Sequence, residues 1–269
     1  MARLSLLILL LWQAVALVAE EAPDSLPDRP LTTTYRLGAG GMHALSTYLT
    51  PIPHTGATFA LEGEWRRALS GSRPLEQTWH AGFDMGFLQD AAGASAMTNV
   101  GLELCWNMQR RFRPVRDLTL TAGAGLLLEG GLLYLPRNSN NPVAARASVN
   151  LTLNAGADYS FKLWGYPLRA FEQVSLPSLG VFFSPHYGQS YYEIYLGDRN
   201  GLARCGWWGN HFLIDNLVGL EVPVCGIRLQ LGYGLSVKSS FASDINTRIT
   251  SHRCVIGIST DWINVTRRK

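Results

Sequence analysis

Between His186 and Asp215 the chain gathers the residue types of a hydrolytic triad: Ser190 as nucleophile, His186 or His211 as base, Glu193 or Asp215 as the orienting carboxylate. A serine hydroxyl becomes a useful nucleophile only when an imidazole takes its proton and a carboxylate holds that imidazole. Spacing alone does not assemble such a group, and no nucleophile elbow precedes Ser190, so a surface hydrolase is the second reading of this stretch. In the first, Tyr187, Tyr191 and Tyr192 pack the segment over its scaffold or meet lipopolysaccharide sugars. No metal ion and no cofactor is expected: the cysteines lack zinc spacing, and Gly38, Gly40 and Gly41 lack a phosphate-loop context.

Such a segment needs a scaffold, and the rest of the chain describes one. From Ala145 to Tyr159 the sequence alternates strictly, with Ala145, Ala147, Val149, Leu151, Leu153, Ala155, Ala157 and Tyr159 on one parity and Arg146, Ser148, Asn150, Thr152, Asn154, Gly156 and Asp158 on the other. Successive strand side chains point to opposite faces, so this is one long strand with an apolar and a polar face. Tilted by roughly 40°, it rises about 38 Å, about twice an ordinary globular strand. Nine further strands are expected at 32–42, 57–67, 78–88, 99–108, 118–129, 168–183, 212–222, 227–238 and 247–262, with Leu127 as an exception to the parity. Pro167 and Pro177 interrupt 168–183, which reads as one bulged strand or two short ones.

The pattern predicts an all-β fold, a closed antiparallel up-and-down transmembrane β-barrel of about ten strands, with eight or twelve as alternatives. Connections at 43–56, 89–98, 131–144, 184–210 and 239–246 are the longer set and would face outside; those at 68–77, 113–117, 160–166 and 223–226 would face the periplasm. A soluble sandwich or lipocalin-like barrel would bury the apolar parity and keep glycine in turns. Here Gly82, Gly86, Gly123, Gly125, Gly156, Gly232 and Gly234 sit mid-strand on the polar parity, where they leave space in a lumen.

That lumen would be lined by Glu62, Glu64, Arg66, His80, Asp84, Glu103, Glu129, Arg146, Asp158, Asp215, Glu221 and Arg228. Unpaired charge away from bulk water is costly, so these groups are expected to pair and largely plug it. His80 and Asp84, four residues apart on one face, are an expected hydrogen-bonded pair. Trp65, Trp79, Trp106, Tyr159, Trp164 and Trp262 fall at strand ends on the periplasmic side, where an aromatic girdle belongs.

The N-terminus supplies an address. Arg3, the apolar run 4–11, the small residues Ala14, Ala16 and Ala19, and then Glu20, Glu21 and Pro23 predict a signal peptide over 1–19, a periplasmic leader over 20–31 and the barrel over 32–269. The expected location is the outer membrane, and the expected partners are its lipid and lipopolysaccharide and the barrel-assembly machinery. A formal charge of +3, scattered along the chain, does not suit nucleic acid. Mean hydropathy is just above zero, yet no apolar run of helical membrane-spanning length follows the signal, which excludes a polytopic helical protein. Cys105, Cys205, Cys225 and Cys254 could pair in three ways or remain packed thiols. A non-enzymatic barrel, structural or a small-solute conduit, is the favoured function.

The string Leu179 to Glu193 (Leu-Gly-Val-Phe-Phe-Ser-Pro-His-Tyr-Gly-Gln-Ser-Tyr-Tyr-Glu) resembles a Bacteroidota family of uncharacterised exported proteins with a domain of unknown function. Ser46 to Pro51, Thr247 to Ile249 and Val255 to Ser259 extend the likeness over nearly the whole mature chain. The resemblance implies export and an outer-membrane β character, and it carries over no catalytic residue. The chain ends Asn264-Val265-Thr266-Arg267-Arg268-Lys269, without the terminal aromatic that the assembly machinery often reads; Trp262 could serve instead.

Overall fold

The computed structural model describes residues 31–69, 75–139 and 141–262, with Trp262 described in its backbone alone. The expected signal peptide and all of the expected leader except Leu31 lie outside the described residues, as do 263–269. In chain order the elements are β1 (Leu31–Ser46), β2 (Thr50–Ala68), β3 (Leu75–Asp90), β4 (Ala96–Val115), β5 (Leu118–Tyr134) and β6 (Val143–Leu163). There follow β7 (Tyr166–Phe183), the short helix α1 (Tyr191–Tyr195), β8 (Ala203–Trp207), β9 (His211–Val224), β10 (Ile227–Ala242) and β11 (Ile245–Trp262). Every strand but the five-residue β8 belongs to one antiparallel ring of ten, closed where β1 pairs with β11 and β6 with β7, so the ring has no open edge.

The outward parity is the apolar one. Leu37, Leu102 and Leu151 are 62%, 59% and 53% exposed, whereas Arg36, Thr34 and Asn150 on the inward parity are buried. This is the reverse of a soluble sandwich. Leu127, the apolar exception on the polar parity, points inward with that parity and is buried.

All ten expected strands are present, and they run further than the alternation showed, from 14 residues in β9 to 21 in β6. The connections expected over 43–56 and 239–246 shrink to residues 47–49 and 243–244. Ser243 and Asp244 adopt φ of 51° and 62°, the positive pair that a two-residue hairpin requires. Pro51 and Pro53, which cannot donate to a ladder, are absorbed in a bulge between the pairs Ala44↔His54 and Ser46↔Thr50. Long connection is therefore concentrated at 135–142 and above all at 184–210, both on the rim opposite the termini.

Pro177 shapes the wall on both sides. β7 is a single strand, and its ladder with β6 slips between Leu151↔Leu179 and Thr152↔Pro177, leaving Ser178 unpaired. Toward β9 the ladder stops at Ser175↔Asp215, and above it β7 pairs with β8 from Leu179↔Trp207 onward. Residues 176–178 thus face residues 208–214 across a seam without a backbone ladder, because Pro177 has no N–H to offer. The Trp208 indole N–H closes the seam by donating to the Pro177 carbonyl at 2.7 Å.

At the loop rim the lumen is apolar. Met42, Ala44, Leu49, Leu88, Met97, Leu133, Leu135, Ala144 and Ile249 form one buried cluster, with Tyr48 packed against it. This corrects the expectation of a polar lumen throughout: charges fill the half toward the termini and the middle, and a hydrophobic plug fills the far end.

Candidate functional site

Alternation aims the polar parity inward, and the strand registers then decide which charges meet. Toward the termini a chain of ion pairs runs almost around the ring. Arg111 on β4 holds Glu76 on β3 at 2.5 Å, and Arg66 on β2 lies 3.9 Å from the other oxygen of Glu76. Arg66 and Arg36 hold Glu64 at 2.9 and 3.1 Å. The Arg36 Nε donates to Gln230 at 2.9 Å, and Gln230 donates in turn to Glu221 at 2.8 Å. Glu221 also takes Arg169 at 2.6 Å and Arg228 at 2.8 Å, while Arg169 approaches Asp158 and Arg228 pairs with Asp261. Every ring strand except β5 contributes a member, so the network ties the wall together across its interior. Glu64, Glu76 and Glu221 are almost completely buried, a state that a carboxylate tolerates only with such partners.

Midway up, Glu62 takes Arg253 at 3.2 Å, and His80 sits 3.5 Å from Glu103 and 3.9 Å from Glu62. The expected His80–Asp84 pair is replaced by these contacts. Asp84 accepts instead from the Asn99 amide at 2.5 Å, because Asn99 is held by Arg146 at 2.8 Å. Lys238 bridges Glu129 at 2.9 Å and Glu103 at 3.3 Å. All twelve expected lumen residues face inward. Arg36, Glu76, Arg111, Arg169, Arg253 and Asp261 belong with them; Arg36 alternates in step with outward Tyr35 and Leu37, a signal that could have found it.

Among the described residues, two spaces lie around Lys238 and Arg146. One is lined by Glu62, Asp84, Glu103 and Asp215 together with Arg253 and those two cations. The other, closer to the loop rim, is lined by Glu129, His211, Phe182, Phe183, Leu213 and Ile249 with the same two cations.

The long connection 184–210 leaves β7 and reaches across the mouth to the β1–β2 turn, where the Tyr48 hydroxyl donates to the Gln189 carbonyl at 2.6 Å. The Tyr191 hydroxyl accepts from the Ala145 amide at 2.7 Å, and the Tyr48 and Tyr191 rings meet edge to face at 5.9 Å. Burial pushes the Tyr48 hydroxyl up to about 12. These contacts hold the segment as a cover.

The structure does not bring the triad candidates together. Ser190 is the N-cap of α1: its hydroxyl accepts from the Glu193 amide at 3.2 Å, and the Glu193 carboxylate accepts from the Ser190 amide and hydroxyl at 2.7 and 3.0 Å. The same two bonds hold the Glu193 carboxyl below its ordinary value. The box is therefore intact above the ordinary glutamate pKa and opens as pH falls through the lowered one. His186 meets the Asn200 carbonyl at 3.2 Å, His211 stacks on Phe182 inside the wall, and Asp215 faces the lumen. Ser190→Ala is expected to speed amide exchange at Glu193 by roughly fivefold while the barrel's melting temperature stays put, as hydrogen exchange and circular dichroism would record.

Trp65, Trp79 and Trp106 are register partners on β2, β3 and β4, facing outward toward the terminal rim, with Trp79 and Trp106 rings 6.5 Å apart. Tyr159 stacks on Phe161 at 6.0 Å near the same rim, and Trp164 stands 96% exposed in the β6–β7 turn. Trp262 ends β11 opposite Leu31, its side chain outside the described residues. The four cysteines are free thiols, Cys105 facing inward and buried.

Over residues 3–269 the sequence matches a family described as a protein of unknown function, DUF3316. The chain belongs to that family. No curated protein matches it in sequence. Among solved structures, this DUF3316 chain is similar to the outer membrane protease OmpT from Escherichia coli, at 9% identity and a TM-score of 0.51 over 91% of this chain and 100% of that one. The translocator domain of the autotransporter NalP from Neisseria meningitidis matches at 13% identity and a TM-score of 0.40, covering 97% and 96%. The COG4313 outer membrane channel from Pseudomonas putida F1 matches at 12% identity and a TM-score of 0.37, covering 90% and 99%. At such identities the likeness to OmpT speaks for the fold alone.

Proposed function

We propose that this chain is an exported, non-enzymatic resident of the outer membrane, with a lumen closed at rest. The exposed apolar belt around a ring without edges supports the location, since only closed barrels cross lipid with strands. A strand of 21 residues tilted by roughly 40° rises on the order of 53 Å, about twice the apolar band of a membrane barrel, so the loop half stands clear of the hydrocarbon. In this reading the signal peptide over 1–19 is cleaved, the barrel-assembly machinery inserts the chain, the tryptophans of the terminal rim sit among phospholipid headgroups, and the outer half meets lipopolysaccharide. An envelope of the Bacteroidota kind, which the sequence resemblance implies, would supply all of these.

The observation that carries the closed lumen is the apolar plug beneath the tyrosine-fastened cover. Ions and sugars cannot pass it without leaving water. Purified barrel in liposomes is expected to give no swelling in arabinose above that of empty vesicles, and to run as a heat-modifiable band on gels. Steady wild-type permeability would overturn this reading in favour of a conduit.

A further inference from the structure

We propose that the upper lumen space is a binding site for a small organic anion, a monocarboxylate with an aromatic or short aliphatic body. The inference concerns the folded barrel itself and does not rest on its location or on the lumen being closed to ions. Three observations converge. First, the two spaces differ in charge. The lower is lined by the four carboxylates Glu62, Asp84, Glu103 and Asp215 with Arg253, the upper by the single carboxylate Glu129, and Arg146 and Lys238 stand between the two. Second, the lining of the upper space is mixed: Phe182, Phe183, Leu213 and Ile249 are apolar, and Arg146, Lys238, Ser239 and Ser240 are polar. An anion with an apolar body matches both sets.

Third, the site holds polar atoms that the protein leaves unused. His211 lines this space, is 9% exposed, and neither of its ring nitrogens has a hydrogen-bond partner; the Arg146 Nε has none either. An unpaired buried donor costs on the order of 1–3 kcal/mol, so the single N–H of the neutral His211 ring and the Arg146 Nε–H, both lining this space, gain when a ligand supplies acceptors. The imidazole cannot swing away to find its own partner, because it is stacked on Phe182 at 4.5 Å with ring planes 6° apart. Gly206 on β8 crowds it from beyond: a Cβ there would stand 3.1 Å from both the His211 and Phe182 side chains. The ring is thus held in place before any ligand arrives, which lowers the entropic cost of binding.

The test uses the full mature barrel refolded in zwitterionic detergent and titrated calorimetrically with benzoate, benzyl alcohol and benzylammonium. Benzoate is expected to bind one to one, and benzylammonium not to bind. His211→Phe preserves the stacking and removes both nitrogens, and is expected to weaken benzoate by about tenfold or more. Ser240→Phe fills the same space and is expected to abolish binding, which keeps the question answerable should the first variant fail to show heat-modifiable mobility. Absence of benzoate binding to folded wild type, equal binding of the cation, or unchanged affinity in a folded His211→Phe or Ser240→Phe barrel would each overturn the assignment.

Discussion

Glu64→Leu is expected to destabilise the barrel by about 3–5 kcal/mol, the usual consequence of removing one partner from a buried ion pair. The carboxylate is shared by Arg36 at 3.1 Å and Arg66 at 2.9 Å, and the Arg36 side chain is only 3% exposed. Taking the acid away strands a guanidinium in a lumen where no other carboxylate lies within ion-pair distance of it among the contacts described. Arg66 is less affected, because it reaches Glu76 as well. The double variant Glu64→Leu with Arg36→Met should therefore recover a large part of the loss, since the apolar pair leaves no charge behind. Urea unfolding of refolded protein, followed by tryptophan fluorescence, measures both. A double variant no more stable than the single one would show that the ring of charges is not what holds these strands in place.

The second large effect separates a lipid-facing wall from a water-facing one. Leu151 sits mid-way along β6, 53% exposed and flanked on its outward face by Val149 and Leu153. In water an exposed leucine changed to arginine shifts stability by less than about 0.5 kcal/mol. At the middle of a bilayer the same change on a barrel costs about 2–4 kcal/mol. Leu151→Arg is thus expected to be severe in phospholipid vesicles and milder in detergent, read as the difference between their unfolding midpoints. Equal, negligible shifts in both would remove the membrane from the account.

What could be seen in the sequence was governed by contrast between the two faces. Strand β6 is plain because Leu151 and Val149 alternate with Asn150 and Thr152, and ten such segments set the strand number. The same contrast put Glu64, Glu221 and Arg228 inside. It faded at the loop rim: Leu88 and Leu133 sit on the inward parity beside apolar Phe87 and Leu132, and Met42 and Ile249 invert the pattern beside His43 and Arg248, so the plug left no usable period of two. Arg169 and Glu76 escaped for a different reason: each lies within two residues of a proline or of the edge of an alternating run. Ser190, His186 and Glu193 are close in sequence and two of them do bond, but the bond closes a helix cap. Proximity along a chain reports local structure first, and a nucleophile with its base is a tertiary fact that spacing could not supply.

The seam at Pro177 has a mechanical meaning. Ring neighbours elsewhere share longer ladders, as in the sixteen residues of β1 against β11, whereas β7 and β9 meet only from Arg169↔Glu221 to Ser175↔Asp215. A hoop with one short weld yields there. Under heat or force, β7 and β9 are the strands expected to part first, beneath Trp208 and beside the stacked His211, while the remainder of the circle keeps its shape.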